Sequence, residues 1–104
     1  DIKIVCMDLN EENVNSVKNG EILFDVGGHW LQGAFAVTMM CDYLNGFDLP
    51  ADRNVKLAPI PVFQDDVDAF LSVFVDFLPP YDATEYSRTF NPDAAAEPPA
   101  LSYK

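Results

Sequence analysis

Basic side chains are scarce in this chain. Six Lys and Arg stand against 17 Asp and Glu, for a formal charge of -11. Binding to nucleic acid needs Lys and Arg to neutralise phosphates, so that partner is excluded. An anionic membrane surface is excluded for the same reason. No apolar run reaches the length of about 18 residues that a spanning helix needs, so no membrane insertion is expected. Histidine and tryptophan each occur once, as His29 and Trp30. One His without a paired nucleophile makes no catalytic triad. No Cys/His cluster has zinc spacing, so no metal is expected. Gly27-Gly28 is not a dinucleotide fingerprint and no Walker lysine follows it, so no cofactor is expected either. The acidic pair Asp65-Asp66 falls at a helix start, where capping explains it. The expectation is a protein that is not an enzyme. The two cysteines, Cys6 and Cys41, lie in apolar segments and read as small buried hydrophobes, with a bridge between them as the alternative. No signal peptide and no initiator Met are seen, and the chain opens straight into an apolar segment. It reads as processed or truncated, with residues missing upstream.

Nearly half of the 104 residues are apolar or aromatic. That suits one small domain or part of a larger one, and it rules out disorder for most of the chain. Ile2 to Met7 (IKIVCM) is short, β-branched and almost wholly apolar, as expected of a strand covered on both faces. Asp8-Leu9-Asn10 follows as a loop. Asn10 can cap a helix from Glu11 to about Asn19, with Glu11 and Glu12 near the positive end of its dipole. Lys18 falls in its last turn and Gly20 just past its end. Ile22 to Val26 is a second strand, broken by Gly27 and Gly28.

His29 and Trp30 open a second helix that runs to about Asn45. Its inward stripe is Leu31, Ala34, Phe35, Thr38, Cys41 and Leu44. Ala36, Val37, Met39 and Met40 widen that stripe, so most of this helix should be covered. Val55 to Phe63 is a third extended segment. Pro59 and Pro61 lack N–H donors, which makes it an edge or crossover strand. A third helix runs from Gln64 to about Leu78 through Val67, Phe70, Leu71, Phe74 and Phe77, and Pro79-Pro80 stops it. Residues 1–78 form the folded part. Residues 79–104 are an extended tail that drapes over other surfaces through Tyr81, Tyr86, Phe90 and Tyr103.

The order β-α-β-α-β-α implies parallel pairing with right-handed crossovers. The expected fold is α/β, a three-layer parallel sheet completed by protein beyond this chain. In open α/β sheets ligands lie beyond the carboxyl ends of the strands. Two loops fall there, Asp8-Leu9-Asn10 and Gly27-Gly28-His29-Trp30. Asp8 brings a carboxylate that accepts hydroxyl hydrogen bonds, and Trp30 a flat apolar face. A carboxylate beside an aromatic plane suits a sugar. The expected ligand-binding residues are Asp8, Asn10, Gly28, His29 and Trp30.

The whole pattern resembles the C-terminal lobe of type I periplasmic binding proteins, of the ribose- and autoinducer-binding kind. It rests on IKIVCMD (2–8), the helix to Asn19-Gly20, EILFDV (21–26), GGHWLQGAFAV (27–37), CDYLNG (41–46) and VKLAPIPVF (55–63), and covers about residues 1–70. The resemblance implies that Asp8 hydrogen-bonds the ligand. It also implies a polar residue, often Gln, after the second strand. That position falls on Gly28 or its neighbours here, with His29 or Trp30 as the replacement. The implied function is binding of a sugar or polyol in a cleft between two lobes, in the periplasm. The implied partners are the missing N-terminal lobe and an ABC transporter permease or sensor kinase. The effector-binding domain of a LacI-type regulator shares that fold and is the alternative, though the acidic charge speaks against it. A response-regulator-like phospho-acceptor is a weaker match, because Leu9 stands where its paired acid would follow Asp8.

Overall fold

The computed structural model describes all of residues 1–104. The fold is α/β, with a three-stranded mixed sheet and four α-helices. In chain order the elements are β1 (Val5–Met7), α1 (Glu11–Lys18), β2 (Phe24–Gly27), α2 (Leu31–Leu44), β3 (Ile60–Phe63), α3 (Val67–Val73) and α4 (Ala83–Tyr86). The chain divides into two compact units. The first comprises Asp1–His29, Ala58–Pro80 and Leu101–Lys104, and the second Trp30–Leu57 and Tyr81–Ala100.

The first unit holds the sheet, in the order β1-β2-β3. β1 and β2 are parallel, as expected. β3 departs from expectation and pairs antiparallel with β2, Asp25 opposite Val62 and Gly27 opposite Ile60. The crossover rule holds when a single helix and short loops return the chain to the end of the sheet where it began. Here the stretch 45–59 adds a long segment with neither helix nor strand, which frees β3 to enter from the other end. The two prolines do mark an edge strand, and Pro61 is exposed on it.

Helix α1 begins where the sequence places it. Asn10 Oδ1 accepts the Asn13 N–H at 2.9 Å. Val14 and Val17 face inward and are fully buried. Helix α3 is shorter than expected. A 3-10 turn, Gln64–Asp66, precedes it, and it stops at Phe74. Beyond it Asp76 and Phe77 sit at φ 54° and 61°, so the chain leaves the helix before Pro79-Pro80. Helices α1 and α3 pack on the sheet and on each other, so they share one sheet face. Within the first unit this makes one helical layer on the sheet. Its core is Leu9, Val14, Val17, Val62, Val67, Phe70 and Phe74, with Phe70 and Phe74 stacked at 4.7 Å. Tyr103 meets Phe70 edge-on and donates its hydroxyl hydrogen to the Pro61 carbonyl at 2.6 Å. Burial and the neighbouring Asp66 carboxylate push its pKa up to about 12.

β1 is not covered on both faces. It is the other edge of the sheet, and Val5 and Met7 remain 52% and 60% exposed. With three strands only β2 has neighbours on both sides, so an apolar outer strand stays open.

In the second unit, α2 buries Leu31, Phe35, Thr38 and Asp42. Val37, Met40 and Leu44 are exposed, so the apolar stripe is narrower than expected and ends on an acid. Residues from Tyr81 onward, expected as extended, include the one-turn helix α4. Asp82 caps it by accepting the Thr84 N–H at 2.9 Å. Tyr81 and Tyr86 stack at 5.3 Å, whereas Phe90 is exposed. Both cysteines are free and half-buried.

Packing of this kind sets a contrast. Phe70→Ala should cost about 3–5 kcal/mol through transfer and cavity terms. Val37→Lys, on the open face of α2, should change stability by no more than about 0.5 kcal/mol. Urea unfolding of the two variants against the parent measures both.

Candidate functional site

The site is built where two parallel strands end. Met7 pairs with Val26, so the loops after β1 and β2 leave the sheet side by side. Asp8 continues the pairing through its N–H, which donates to the Val26 carbonyl at 2.9 Å. The chain then turns sharply. Asp8 and Leu9 adopt φ 139° and 53°, values that non-glycine residues rarely take and that cost about 1–3 kcal/mol each. Two gains offset that cost. The Leu9 side chain is 1% exposed, a burial worth roughly 1.5–3 kcal/mol. The Leu9 N–H donates to Asp25 Oδ2 at 3.0 Å, a bond to a charged group worth about 1.5–3 kcal/mol.

Gly27 belongs to this turn. A Cβ there would lie 2.9 Å from Leu9 Cγ. The space opened by Gly27 is therefore filled by Leu9. Gly28, at φ 103°, takes a conformation that favours glycine and leads the chain to His29.

The result brings two of the expected residues together. His29 Nε2 lies 3.4 Å from Asp8 Oδ1, with the side chains 47% and 61% exposed. The pair is open to solvent at the carboxyl edge of β1 and β2. It offers a carboxylate acceptor beside an imidazole that donates or accepts. Asn10 lies next along the chain, but its Oδ1 is committed to capping α1, which leaves its amide nitrogen. Trp30 is half-buried, begins the second unit and is the N-cap of α2 without a side-chain cap bond. Its carbonyl accepts the Gly33 N–H at 3.2 Å.

No family model, curated protein or solved structure matches the chain. Its chemistry is therefore read from its own side chains. No three His, Cys, Asp or Glu are grouped to hold a metal ion. No helix is long and apolar enough to cross a membrane.

Sequence reasoning missed two buried acids. Asp25 is fully buried on the packed face of β2. Its carboxylate accepts the N–H groups of Leu9 and Val26, at 3.0 and 2.9 Å. Burial nonetheless raises its pKa above the usual carboxylate value, and the neighbouring Asp8 charge adds to the rise. The available signal was an acid at an inward position of a short apolar strand, where a charge needs partners. Asp42, in the second unit, replaces an apolar residue at the end of the α2 stripe. It accepts from Ser87 Oγ at 2.6 Å, Thr89 Oγ1 at 2.8 Å and the N–H groups of Arg88 and Thr89, each at 2.9 Å. Burial pushes its pKa up, but these four donors outweigh burial and hold it at about 2. Asp42 thereby fastens residues 87–89 to α2.

Because the folded pKa of Asp42 lies below its unfolded value of 3.8, its contribution to stability is present above pH 4 and is lost as pH falls toward 2. The contribution is roughly 2 kcal/mol. The parent should therefore lose about that much more stability than Asp42→Asn between pH 4 and pH 2, by chemical denaturation. Asp42→Ala should also expose residues 81–100 to limited proteolysis at neutral pH.

Proposed function

We propose that this chain is the C-terminal part of a solute receptor of the type I periplasmic binding protein kind, and that it binds a sugar or polyol through Asp8 and His29. The observation that carries the reading is the 3.4 Å approach of these two side chains at the carboxyl ends of adjacent parallel strands. Ligands of open α/β sheets bind at that edge. An ionised carboxylate accepts two hydroxyl hydrogen bonds, and the imidazole next to it adds a donor or an acceptor. Adjacent hydroxyls on a sugar ring present that set of groups. The amide nitrogen of Asn10 is a further donor.

In this reading a second lobe completes the receptor and the ligand bridges the two lobes on closure. The open apolar edge at β1, with Ile4, Val5 and Met7 each more than half exposed, supports a fold that continues in other protein. The receptor works in the periplasm with an ABC transporter permease or a sensor kinase. The charge of -11 favours this over the LacI-type alternative, because a DNA-bound regulator gains from positive charge.

The test is amide NMR of the 15N-labelled chain titrated to millimolar concentration with D-ribose, D-galactose, D-glucose and D-sorbitol. At least one should shift Asp8, Gly28 and His29. Asp8→Ala should weaken that binding about tenfold or more, as expected for the loss of a hydrogen bond to a charged group. Shifts confined to other residues, or an unchanged affinity in Asp8→Ala, would remove the site from these strand ends.

A further inference from the structure

We propose that Asp25 is the positioning residue of this site. Its buried carboxylate fixes the Asp8–Leu9 turn in the one conformation that faces Asp8 toward His29. The functional importance rests on the sugar-binding reading, whereas the positioning itself does not.

The geometry is specific. Asp25 lies on the central strand, 0% exposed, one register step below the pair of strand ends that carry the site. One carboxylate oxygen, Oδ2, receives the Leu9 N–H, and the other, Oδ1, receives the Val26 N–H. The acid thus ties the end of β2 to the turn that follows β1. Without the first bond, the Leu9 N–H would be a buried donor lacking a partner, which is destabilising. That loss falls on a turn already carrying two positive-φ residues. Such conformations persist only when the surroundings over-determine them. Removal of the tie should let Asp8 and Leu9 relax to ordinary backbone angles. Because Asp8 is strained at its own φ, that relaxation swings its carboxylate away from His29.

A second contact acts on the same turn, from the same face of β2. Leu9 Cγ, Cβ and Cδ1 lie 2.9–3.0 Å from where a Gly27 side chain would begin. Asp25 holds the turn by its backbone and Gly27 makes room for its side chain. The two residues, adjacent in β2 to one another's neighbour Val26, therefore define one seat for Leu9. An acid with no solvent access and no cationic partner among its contacts is an expensive way to bind a loop. Its use is intelligible where the orientation of the next carboxylate, Asp8, is the property at stake.

Asp25→Asn keeps the shape of the side chain but replaces one acceptor by a donor. Hydrogen exchange by NMR should show Leu9 N–H protection falling about tenfold or more, while Val14 and Val17 in α1 keep theirs. The nuclear Overhauser contact between the His29 ring and the Asp8 β-protons should disappear. Gly27→Ala should remove the same contact without touching the carboxylate, and it serves where Asp25→Asn does not fold. In the sugar titration, Asp25→Asn should weaken binding about as much as Asp8→Ala, and the double variant should be no weaker than either alone. A merely structural role would instead lower protection in α1 together with Leu9, or give additive losses. Retention of the His29–Asp8 contact in both variants overturns the positioning role whether or not any sugar binds. Loss of that contact without any sugar binding sustains the role and overturns only the ligand reading.

Discussion

A carboxylate placed at the centre of an apolar sheet face is the constraint on which the first unit depends. β2 has to contribute a residue to the layer formed by Val14, Val17, Val62 and Phe70, and it contributes Asp25. An acid is stable there only if the backbone around it turns its N–H groups inward. The turn at Asp8 and Leu9 supplies one of those groups, and strand β2 supplies the other at Val26. The unusual backbone angles, the glycine at position 27 and the approach of Asp8 to His29 are consequences of that arrangement.

The second unit uses the same device with the opposite electrostatic result. Asp42 also sits at a position where a helix would ordinarily bury a hydrocarbon, and it also collects N–H groups from a distant turn. Two hydroxyl donors join them, from Ser87 and Thr89. The additional donors favour the ionised form strongly enough to overcome burial, so the pKa of Asp42 falls. Asp25 receives fewer bonds in a deeper place, and its pKa rises. The contrast follows from the balance between desolvation and hydrogen bonding to the charged form. Asp42 therefore acts as a fastening that strengthens with ionisation. Asp25 is retained at some cost in stability, which fits a residue kept for the geometry it imposes.

The apolar residues that remain outside follow from the small size of the sheet. Three strands leave two edges. β3 is blunted by Pro61, which cannot donate a hydrogen bond outward. β1 carries no such protection, and its exposed side chains are among the most apolar on the surface. An unprotected apolar edge is normally paired or covered. The exposed Val37, Met40 and Leu44 of α2 repeat the theme in the second unit.

Much of the local structure was legible in the order of residues. The Asn10 cap, the Val14 and Val17 face, the breaks at Gly27-Gly28 and the edge character of β3 each depend on neighbours within a turn or a strand, and short-range chemistry decides them. The position of Asp8 and His29 at adjacent strand ends also followed, because two parallel strands must finish on the same side. What tertiary structure alone decided are the features set by partners far along the chain. The antiparallel entry of β3 depends on the path of residues 45–59, which hydrophobic periodicity does not encode. The burial of Asp42 in place of Cys41 or Leu44 depends on donors some 45 residues away. The seat of Leu9 depends on Asp25 and Gly27 in another strand. A carboxylate reads as a surface residue until its hydrogen-bond donors are located, and here those donors come from residues that only the folded chain brings within 3 Å.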